Sequence, residues 1–270
     1  TSFEAPLRYI LNTACVVLLV RFRRPPVTNM APRPGTIHVK KLLKESSKAV
    51  WLKALERYPD AIKAKAKTLK GGKTGGRSPA KALIENDKWW RTDFGPIMKR
   101  QGHVTKEQLV RLMEWKLSHG KMRFSLMKGV QGNSADSVLS CSTQALKIAE
   151  KGSVKDAVNA FCKLRYVGPA TASGILSAYD PSKFCMMSDE PLEAIMGDRK
   201  YTLKYYLEYN EAMLAVAAKL SMRVEEAEMA CYSAAWLGFK EAIGGAESGK
   251  KKRPSPVDES SGNEKKKRRK

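Results

Sequence analysis

The residues between Leu164 and Leu176 are suited to holding a phosphate group. An amphipathic segment ends at Leu164, a tight turn contains Gly168, and Pro169 stands where it can begin a second helix. Unpaired main-chain amides and the helix dipole at such a start attract an anion. Contacts of this kind position a nucleic-acid backbone without reading its sequence. The predicted DNA-binding residues here are Arg165, Tyr166, Val167, Gly168, Pro169, Ala170 and Thr171. The alternative is a helical hairpin whose small residues serve packing alone.

A carboxylate follows this turn at Asp189, 21 residues after Gly168. Its neighbour Pro191 suits the first turn of a helix, so Asp189 is placed near a helix start. One interpretation is an N-cap, a position that Asp fills well without any catalysis. The other is a catalytic carboxylate, because an ionised group stabilises positive charge that develops on a nearby reacting atom.

The pattern Val167-Gly168-x-x-Thr171-Ala172, placed after an amphipathic helix, resembles the hairpin of the helix-hairpin-helix DNA glycosylase superfamily. The resemblance covers about residues 165–191 as a motif and about 105–240 as a helix pattern. It implies an all-α fold and a hairpin that grips the phosphate backbone, often with a bound monovalent cation. Apart from that cation, no cofactor is predicted for this chain. It also implies a catalytic aspartate about twenty residues later, which is the place of Asp189.

The implied reaction is hydrolysis of an N-glycosidic bond in DNA. A base inside the duplex is out of reach, so the nucleotide is flipped out at a cost of a few kcal/mol. Bond cleavage builds oxocarbenium character on the sugar. The resemblance assigns Asp189 to stabilise that charge and to orient the attacking water.

Three departures from the family pattern narrow the predicted activity. The family places Gly where this chain has Tyr166, a residue that tolerates positive φ poorly. Its strand-cleaving members carry Lys at the place of Ala170, so no Schiff-base nucleophile is expected there. Only Cys231 lies where other members bind an iron–sulfur cluster. An active protein is therefore predicted to be monofunctional.

Aromatic side chains and potential metal ligands are the remaining candidate site residues. Trp89, Trp90 and Arg91 pair stacking rings with a cation, and we predict that they contact DNA. Burial of at least one of these tryptophans is the competing interpretation. The three histidines are isolated and the five cysteines form no C-x-x-C pair, so no metal site is predicted.

The net charge of +23 is concentrated in the flanks. Residues 40–78 hold twelve Lys and Arg against three acids, and residues 250–270 hold ten against three. Such flanks favour a polyanionic partner. Two basic clusters around a polar spacer resemble a bipartite nuclear-import signal, which predicts nuclear localisation and an import-receptor partner. Its residues are Lys250, Lys251, Lys252, Arg253, Lys265, Lys266, Lys267, Arg268, Arg269 and Lys270.

Strand signals are scarce and helical spacing is common, which predicts an all-α fold. Thr105 with Gln108 forms a capping-box pattern, and Ser134 and Ser153 are placed to begin two further helices. Residues 203–220 and 224–239 are predicted to form two long C-terminal helices. We expect residues 1–37 to be an extension outside the fold, with Met30 as the native start, and residues 38–78 to be a basic helical arm with a Gly-rich linker. Residues 79–245 should form the helical domain that contains the hairpin, and 246–270 a disordered basic tail. The apolar run at residues 10–20 is too short for a bilayer, which takes roughly 20 residues, so no membrane partner is expected.

Three functional hypotheses remain open at this level. The first is a nuclear, monofunctional base-excision glycosylase. The second is a non-catalytic DNA-binding or chromatin-associated module with the same fold. The third is a protein-binding scaffold whose basic segments serve import alone.

Overall fold

The computed structural model describes residues 33–71, 77–121 and 123–245. These residues form fourteen α-helices and one π-helical turn, Trp90–Phe94, so the predicted all-α fold is confirmed. The helices are α1 Pro34–Leu42, α2 Lys48–Glu56, α3 Tyr58–Thr68, α4 Pro79–Trp89, α5 Gly95–Gln101, α6 Lys106–His119, α7 Phe124–Gln131, α8 Ala135–Glu150, α9 Val154–Phe161, α10 Pro169–Tyr179, α11 Asp189–Met196, α12 Leu203–Lys219, α13 Val224–Leu237 and α14 Phe239–Ala242.

Several helix boundaries follow from capping residues that the sequence displays. Thr105 and Gln108 form the predicted capping box at the start of α6. Ser134 and Ser153 cap α8 and α9 through their side chains, as predicted. The two long C-terminal helices expected at residues 203–220 and 224–239 are α12 and α13.

Helix α13 lies at the centre of the packing and contacts α1, α2, α3, α11, α12 and α14. The N-terminal helices therefore share one core with the rest of the fold. Val39, Trp51 and Tyr58 are all buried in this core. This differs from the predicted separate arm at 38–78, because the lysines of α1–α3 alternate with an apolar stripe that requires a partner surface.

The fold begins earlier than the expected boundary at residue 38. Helix α1 starts at Pro34, and Thr36 is fully buried. The Thr36 hydroxyl donates to Glu193 of α11 at 3.0 Å, which ties the helix start to the body of the protein. Residues 1–32, with the apolar run at 10–20, and residues 246–270 lie outside the described residues. None of the helices that the structure describes is both long and apolar enough to cross a bilayer.

Candidate functional site

The connection between α9 and α10, residues 162–168, is called the hairpin turn below. Pro169 occupies the first turn of α10, as the sequence predicts, and Gly168 precedes the helix in an extended conformation. Tyr166 has φ of 61°, the left-handed conformation that the family pattern assigns to Gly. Tyr is expected to tolerate this conformation poorly, and a specific contact of its ring accompanies the conformation here. The ring lies over Gly129 of α7, where any Cβ would overlap it.

The hairpin turn is open to solvent at its tip. A Cβ added to Gly168 would meet no atom within 4 Å. The Gly168 carbonyl accepts from the amides of Thr171 and Ala172 at 2.8 and 2.9 Å, whereas the amides of Tyr166, Gly168 and Ala170 have no acceptor among the described residues. The turn therefore has main-chain donors that are not used within the described fold, and such donors at a helix start can bind a phosphate oxygen.

The residues of the predicted DNA-binding turn divide into two groups. Arg165, Tyr166 and Gly168 are exposed and Pro169 is half-buried. Val167, Ala170 and Thr171 are buried, and of these three Ala170 and Thr171 line the adjacent cavity. Val167 is an anchor of the turn in the core.

Asn133 fixes the hairpin turn from the opposite side. Its amide nitrogen donates to the carbonyls of Val130 and Arg165 at 2.9 and 3.0 Å, and its carbonyl accepts from the Arg165 amide at 2.9 Å. The side chain is 5% exposed. Sequence reasoning missed this residue because 32 positions separate it from Arg165 and Asn is common in turns.

A cavity of about 190 Å³ lies beside the hairpin turn. This is below the roughly 300–1,000 Å³ of sites for drug-sized ligands. Its lining combines the hairpin turn and the start of α10 with α6, α7, α11 and the segments that follow α6 and flank α11. The polar and turn residues among them are Lys116, His119, Lys121, Arg123, Tyr166, Gly168, Thr171, Ser188, Asp189, Glu190 and Tyr201.

Asp189 is the first residue of α11, and its side chain makes no capping bond. The interpretation of Asp189 as the N-cap is therefore wrong, because Ser188 occupies that position. Instead, Asp189 Oδ1 accepts from the Tyr201 hydroxyl at 2.7 Å, and Oδ2 pairs with Arg199 Nη1 at 2.8 Å. Both oxygens are held while the side chain remains 25% exposed at the cavity.

The partners of Asp189 keep their donor forms. Burial, followed by the charge of Asp189, raises the pKa of Tyr201 to about 12, so its hydroxyl stays protonated. Burial opposes the charge of Arg199, but Asp189, Glu190 and Glu193 together raise its pKa. Burial and the neighbouring Asp189 raise the pKa of Glu190. Asp189 is the carboxylate of this cluster that accepts from a donor on each of its two oxygens, whereas Thr36 and Arg199 both donate to one oxygen of Glu193.

The prediction that Trp89 and Trp90 stack on DNA is wrong, because each residue is only 5% exposed. Trp90 stacks on Trp115 with ring centroids 4.2 Å apart and donates to the Gly174 carbonyl of α10 at 2.7 Å. Trp89 packs on Phe94 at 4.5 Å. Because Trp89 and Trp90 are adjacent along a helix, their side chains project about 100° apart. Neighbouring helices cover both side chains. Trp90 therefore packs against α10, and Trp89 packs on Phe94 of the π-helical turn.

Arg91 makes internal contacts, although its side chain remains 20% exposed. Its guanidinium lies 4.0 Å from the centroid of the Tyr58 ring, and its Nε lies 3.4 Å from Asp87. The prediction that Arg91 contacts DNA is corrected, because these contacts engage the side chain within the fold. Its charge pairs with that of the buried Asp87.

One exposed aromatic residue near the cavity was missed by sequence reasoning. Phe124 is 75% exposed at the start of α7, between the cavity residues Arg123 and Leu126. The exposure of Phe124 depends on how α7 packs, so it could not be read from the sequence alone. A large exposed apolar side chain next to a cavity is a candidate contact residue.

Comparisons with protein-family models, curated proteins and solved structures return no match for this chain. The likeness to the glycosylase superfamily accordingly rests on the residues of the turn and on the position of Asp189. Within the described ranges, no group of three or more His, Cys, Asp or Glu residues could hold a metal ion. The basic clusters of residues 250–270 lie outside those ranges.

Proposed function

We propose that this chain binds DNA at the hairpin turn and hydrolyses the N-glycosidic bond of a base flipped into the adjacent cavity. The observation that carries the proposal is that Gly168 and Asp189 line the same cavity. A phosphate on the turn amides and a sugar beside the carboxylate are then compatible with one bound strand. The cavity would receive the base itself.

The DNA-facing surface would combine the turn amides with exposed cations and an aromatic wedge. Lys121, Arg123 and Arg165 are exposed around the cavity and the turn, where they suit phosphate contacts. Phe124 would fill the gap that a flipped nucleotide leaves in the stack, as apolar wedges do in other DNA-binding proteins. A monovalent cation at the hairpin turn, implied by the family resemblance, would add a further bridge to phosphate.

At the sugar, Asp189 would stabilise the oxocarbenium character that develops at C1′ as the base departs. Tyr201 and Arg199 hold both carboxylate oxygens, which fixes the direction of the group before substrate arrives. A water molecule on the same face of the sugar would then complete hydrolysis. This is the monofunctional reaction expected from Ala170.

The cellular setting is part of the proposal. Lys250–Arg253 and Lys265–Lys270 fit a bipartite import signal, with an import receptor as partner and the nucleus as the site of action. Fusing residues 246–270 to a fluorescent protein tests this directly. Import that is lost when both clusters are changed to Ser supports it, and unchanged distribution argues against it.

One observation favours a second candidate, a non-catalytic DNA-binding module. Arg199 lies 2.8 Å from Asp189, and this ion pair offsets the negative charge that the reaction requires. The two functions share the DNA surface and differ at the carboxylate alone.

Release of damaged bases from a panel of lesion-containing duplexes distinguishes them. The wild type is compared with Asp189→Asn and with the matched control Asp136→Asn, an exposed acid on α8. The glycosylase proposal expects a rate loss on the order of 10²–10³-fold for Asp189→Asn alone, with DNA affinity retained. Equal background release from all three proteins, with DNA binding intact, would favour the non-catalytic module.

A further inference from the structure

A second, open cleft lies on the surface of α6, apart from the cavity beside the hairpin turn. It has a volume of about 450 Å³ and is called the α6 cleft below. Its polar lining residues are Arg77, Lys106, Glu107, Arg111, Glu114 and Gln131, and none of them lines the cavity beside Asp189. The α6 cleft is therefore a separate candidate site, which the proposed function leaves unused.

The guanidinium of Arg111 is already oriented by the fold. Its Nε donates to Oδ1 of the fully buried Asn86 at 2.9 Å, and its carbon lies 4.4 Å from the centroid of the Trp89 ring. Within the described ranges, its two terminal nitrogens donate to no acceptor and no carboxylate pairs with it. A guanidinium that is fixed in this way, with both terminal nitrogens free, suits two oxygens of one phosphate group.

The acids of the α6 cleft do not neutralise Arg111. Glu114 pairs with Arg77 at 3.3 Å, and Glu107 is exposed. Burial, followed by the charge of Arg77, lowers the pKa of Arg111, as expected for a cation with little negative charge beside it. The lining holds three cations against two carboxylates, so the cleft keeps a net positive charge.

Lys106 and Gln131 add further donors to the α6 cleft. Lys106 is the first residue of α6, and Gln131 is the last residue of α7. Neither side chain forms an ion pair or a hydrogen bond with any residue that the structure describes. Lysine and glutamine side chains both donate to phosphate oxygens in complexes with DNA. Together with Arg111, the cleft thus offers three side chains whose donors the described fold does not use.

Helix α7 connects the α6 cleft to the hairpin turn. Its start borders the cavity, and Gln131 at its end lines the cleft. Between them, the Tyr166 ring packs over Gly129, and Arg165 Nη1 lies 4.0 Å from the position of a Cβ on Gly132. With eight residues, α7 is about 12 Å long, which corresponds to roughly three or four nucleotides along a duplex. A strand held at the hairpin turn can therefore reach the cleft within a few nucleotides.

We propose that the α6 cleft binds a backbone phosphate of the DNA that flanks the flipped nucleotide. Arg111 donates to two oxygens of this phosphate, and Lys106 and Gln131 donate to the same group. The proposal rests on the proposed function, since it requires DNA at the hairpin turn. It also narrows the substrate class, because the bound strand must continue for a few nucleotides on the side of the cleft, which a free nucleotide or a strand end does not.

The test measures the affinity of the full chain for a duplex with a tetrahydrofuran abasic analogue, by fluorescence anisotropy. Single phosphates on both sides of the analogue are replaced in turn by neutral methylphosphonates. One flanking replacement, distinct from that at the hairpin turn, should weaken binding by the wild type about tenfold, the loss expected for a charge-assisted contact. This replacement identifies the phosphate that the α6 cleft binds.

The same flanking replacement is then measured in three variants. In Arg111→Gln it should weaken binding less than about twofold, because the contact that it removes is already absent. In Lys106→Gln its effect should be smaller than in the wild type. Lys147→Gln, an exposed lysine on α8 outside the cleft, should show the full wild-type effect.

The outcomes separate this site from the proposed function. If every flanking replacement has the same effect in the wild type, Arg111→Gln and Lys106→Gln, the cleft is not a phosphate site, and DNA binding at the hairpin turn stands. If the wild type does not bind the duplex, both proposals are overturned. Lys106→Gln decides the matter even if Arg111→Gln fails to fold, because Lys106 has no partner among the described residues.

Discussion

The ring of Tyr166 occupies the space above Gly129 that a side chain at residue 129 would fill. Tyr166 holds φ of 61°, a conformation that costs a non-glycine residue roughly 1–2 kcal/mol. The packing of the ring on α7 offsets this cost and sets the direction of the hairpin turn. Gly129 and Tyr166 together therefore replace the glycine that the family pattern places in the turn.

Gly129→Ala should destabilise the fold by about 1–3 kcal/mol, because the new methyl group displaces the Tyr166 ring. Urea unfolding measures the change. Gly132→Ala is the matched control, since a Cβ there would make only ordinary contacts. In a Tyr166→Gly background the same Gly129→Ala change should become neutral or stabilising by up to about 1 kcal/mol, as expected for Gly→Ala in a helix. An unchanged penalty in that background would show that the ring is not the cause.

Asn133→Ala should cost about 1–3 kcal/mol of unfolding free energy, because the amide and carbonyl of Arg165 lose the side chain that pairs with both. We also expect weaker DNA binding, since the turn loses its anchor. Thermal unfolding and fluorescence anisotropy on one duplex measure the two effects. Asn159→Ala on the exposed face of α9 provides the control. If the Asn133→Ala protein is destabilised but keeps full DNA affinity, DNA binding does not depend on the anchor that Asn133 provides to the turn.

Tyr201→Phe removes one of the two donors to Asp189 and should slow base release by about tenfold, the effect of losing roughly 1.4 kcal/mol at the transition state. DNA affinity should be unchanged, because the hydroxyl is directed at the carboxylate. Tyr205→Phe is the control, since Tyr205 donates to Asp198 and the Met196 carbonyl instead. Equal rates for both variants would argue that Tyr201 does not position Asp189.

Glu228→Gln should change the pH dependence of stability. Burial raises the pKa of Glu228 from 4.5 to about 8, although Arg91 opposes the shift. Between about pH 4.5 and 8, Glu228 therefore keeps its proton in the folded protein but has lost it in the unfolded chain. This contribution to stability is present below pH 4.5 and is lost as the pH rises through 8.

Melting temperatures at pH 5 and pH 9 therefore should differ less in Glu228→Gln than in the wild type, with the variant gaining at high pH. Glu211→Gln, an exposed glutamate on α12, controls for the loss of a charge. Parallel pH profiles for the wild type and Glu228→Gln would contradict the assignment of a buried, protonated Glu228.

The local features of the fold were predictable from sequence to a considerable degree. Caps at Thr105, Ser134 and Ser153 depend on a few adjacent residues, and all three start helices as expected. The first helical turn at Pro169 follows from its fixed φ. Asp189 at the start of α11 follows from the same local rules.

Long-range packing was not predictable in the same way. The basic charge of residues 40–78 suggested a separate arm, but Trp51 and Tyr58 require a partner surface that α13 supplies far along the chain. Trp89 and Trp90 were predicted to stack on bases because a single sequence does not show that neighbouring helices bury both rings. The Asn133 contact and the position of Lys116 in the cavity depend on the same non-local arrangement.

The proposed function requires that the hairpin turn contacts DNA through its main-chain amides. Amide proton and nitrogen chemical shifts, followed while a duplex with a tetrahydrofuran abasic analogue is titrated into the protein, test this directly. We predict that the largest changes occur at Gly168 and Ala170, two amides at the start of α10 that have no acceptor among the described residues. Saturation of the protein with DNA while these two amides keep their shifts would contradict DNA binding at the hairpin turn.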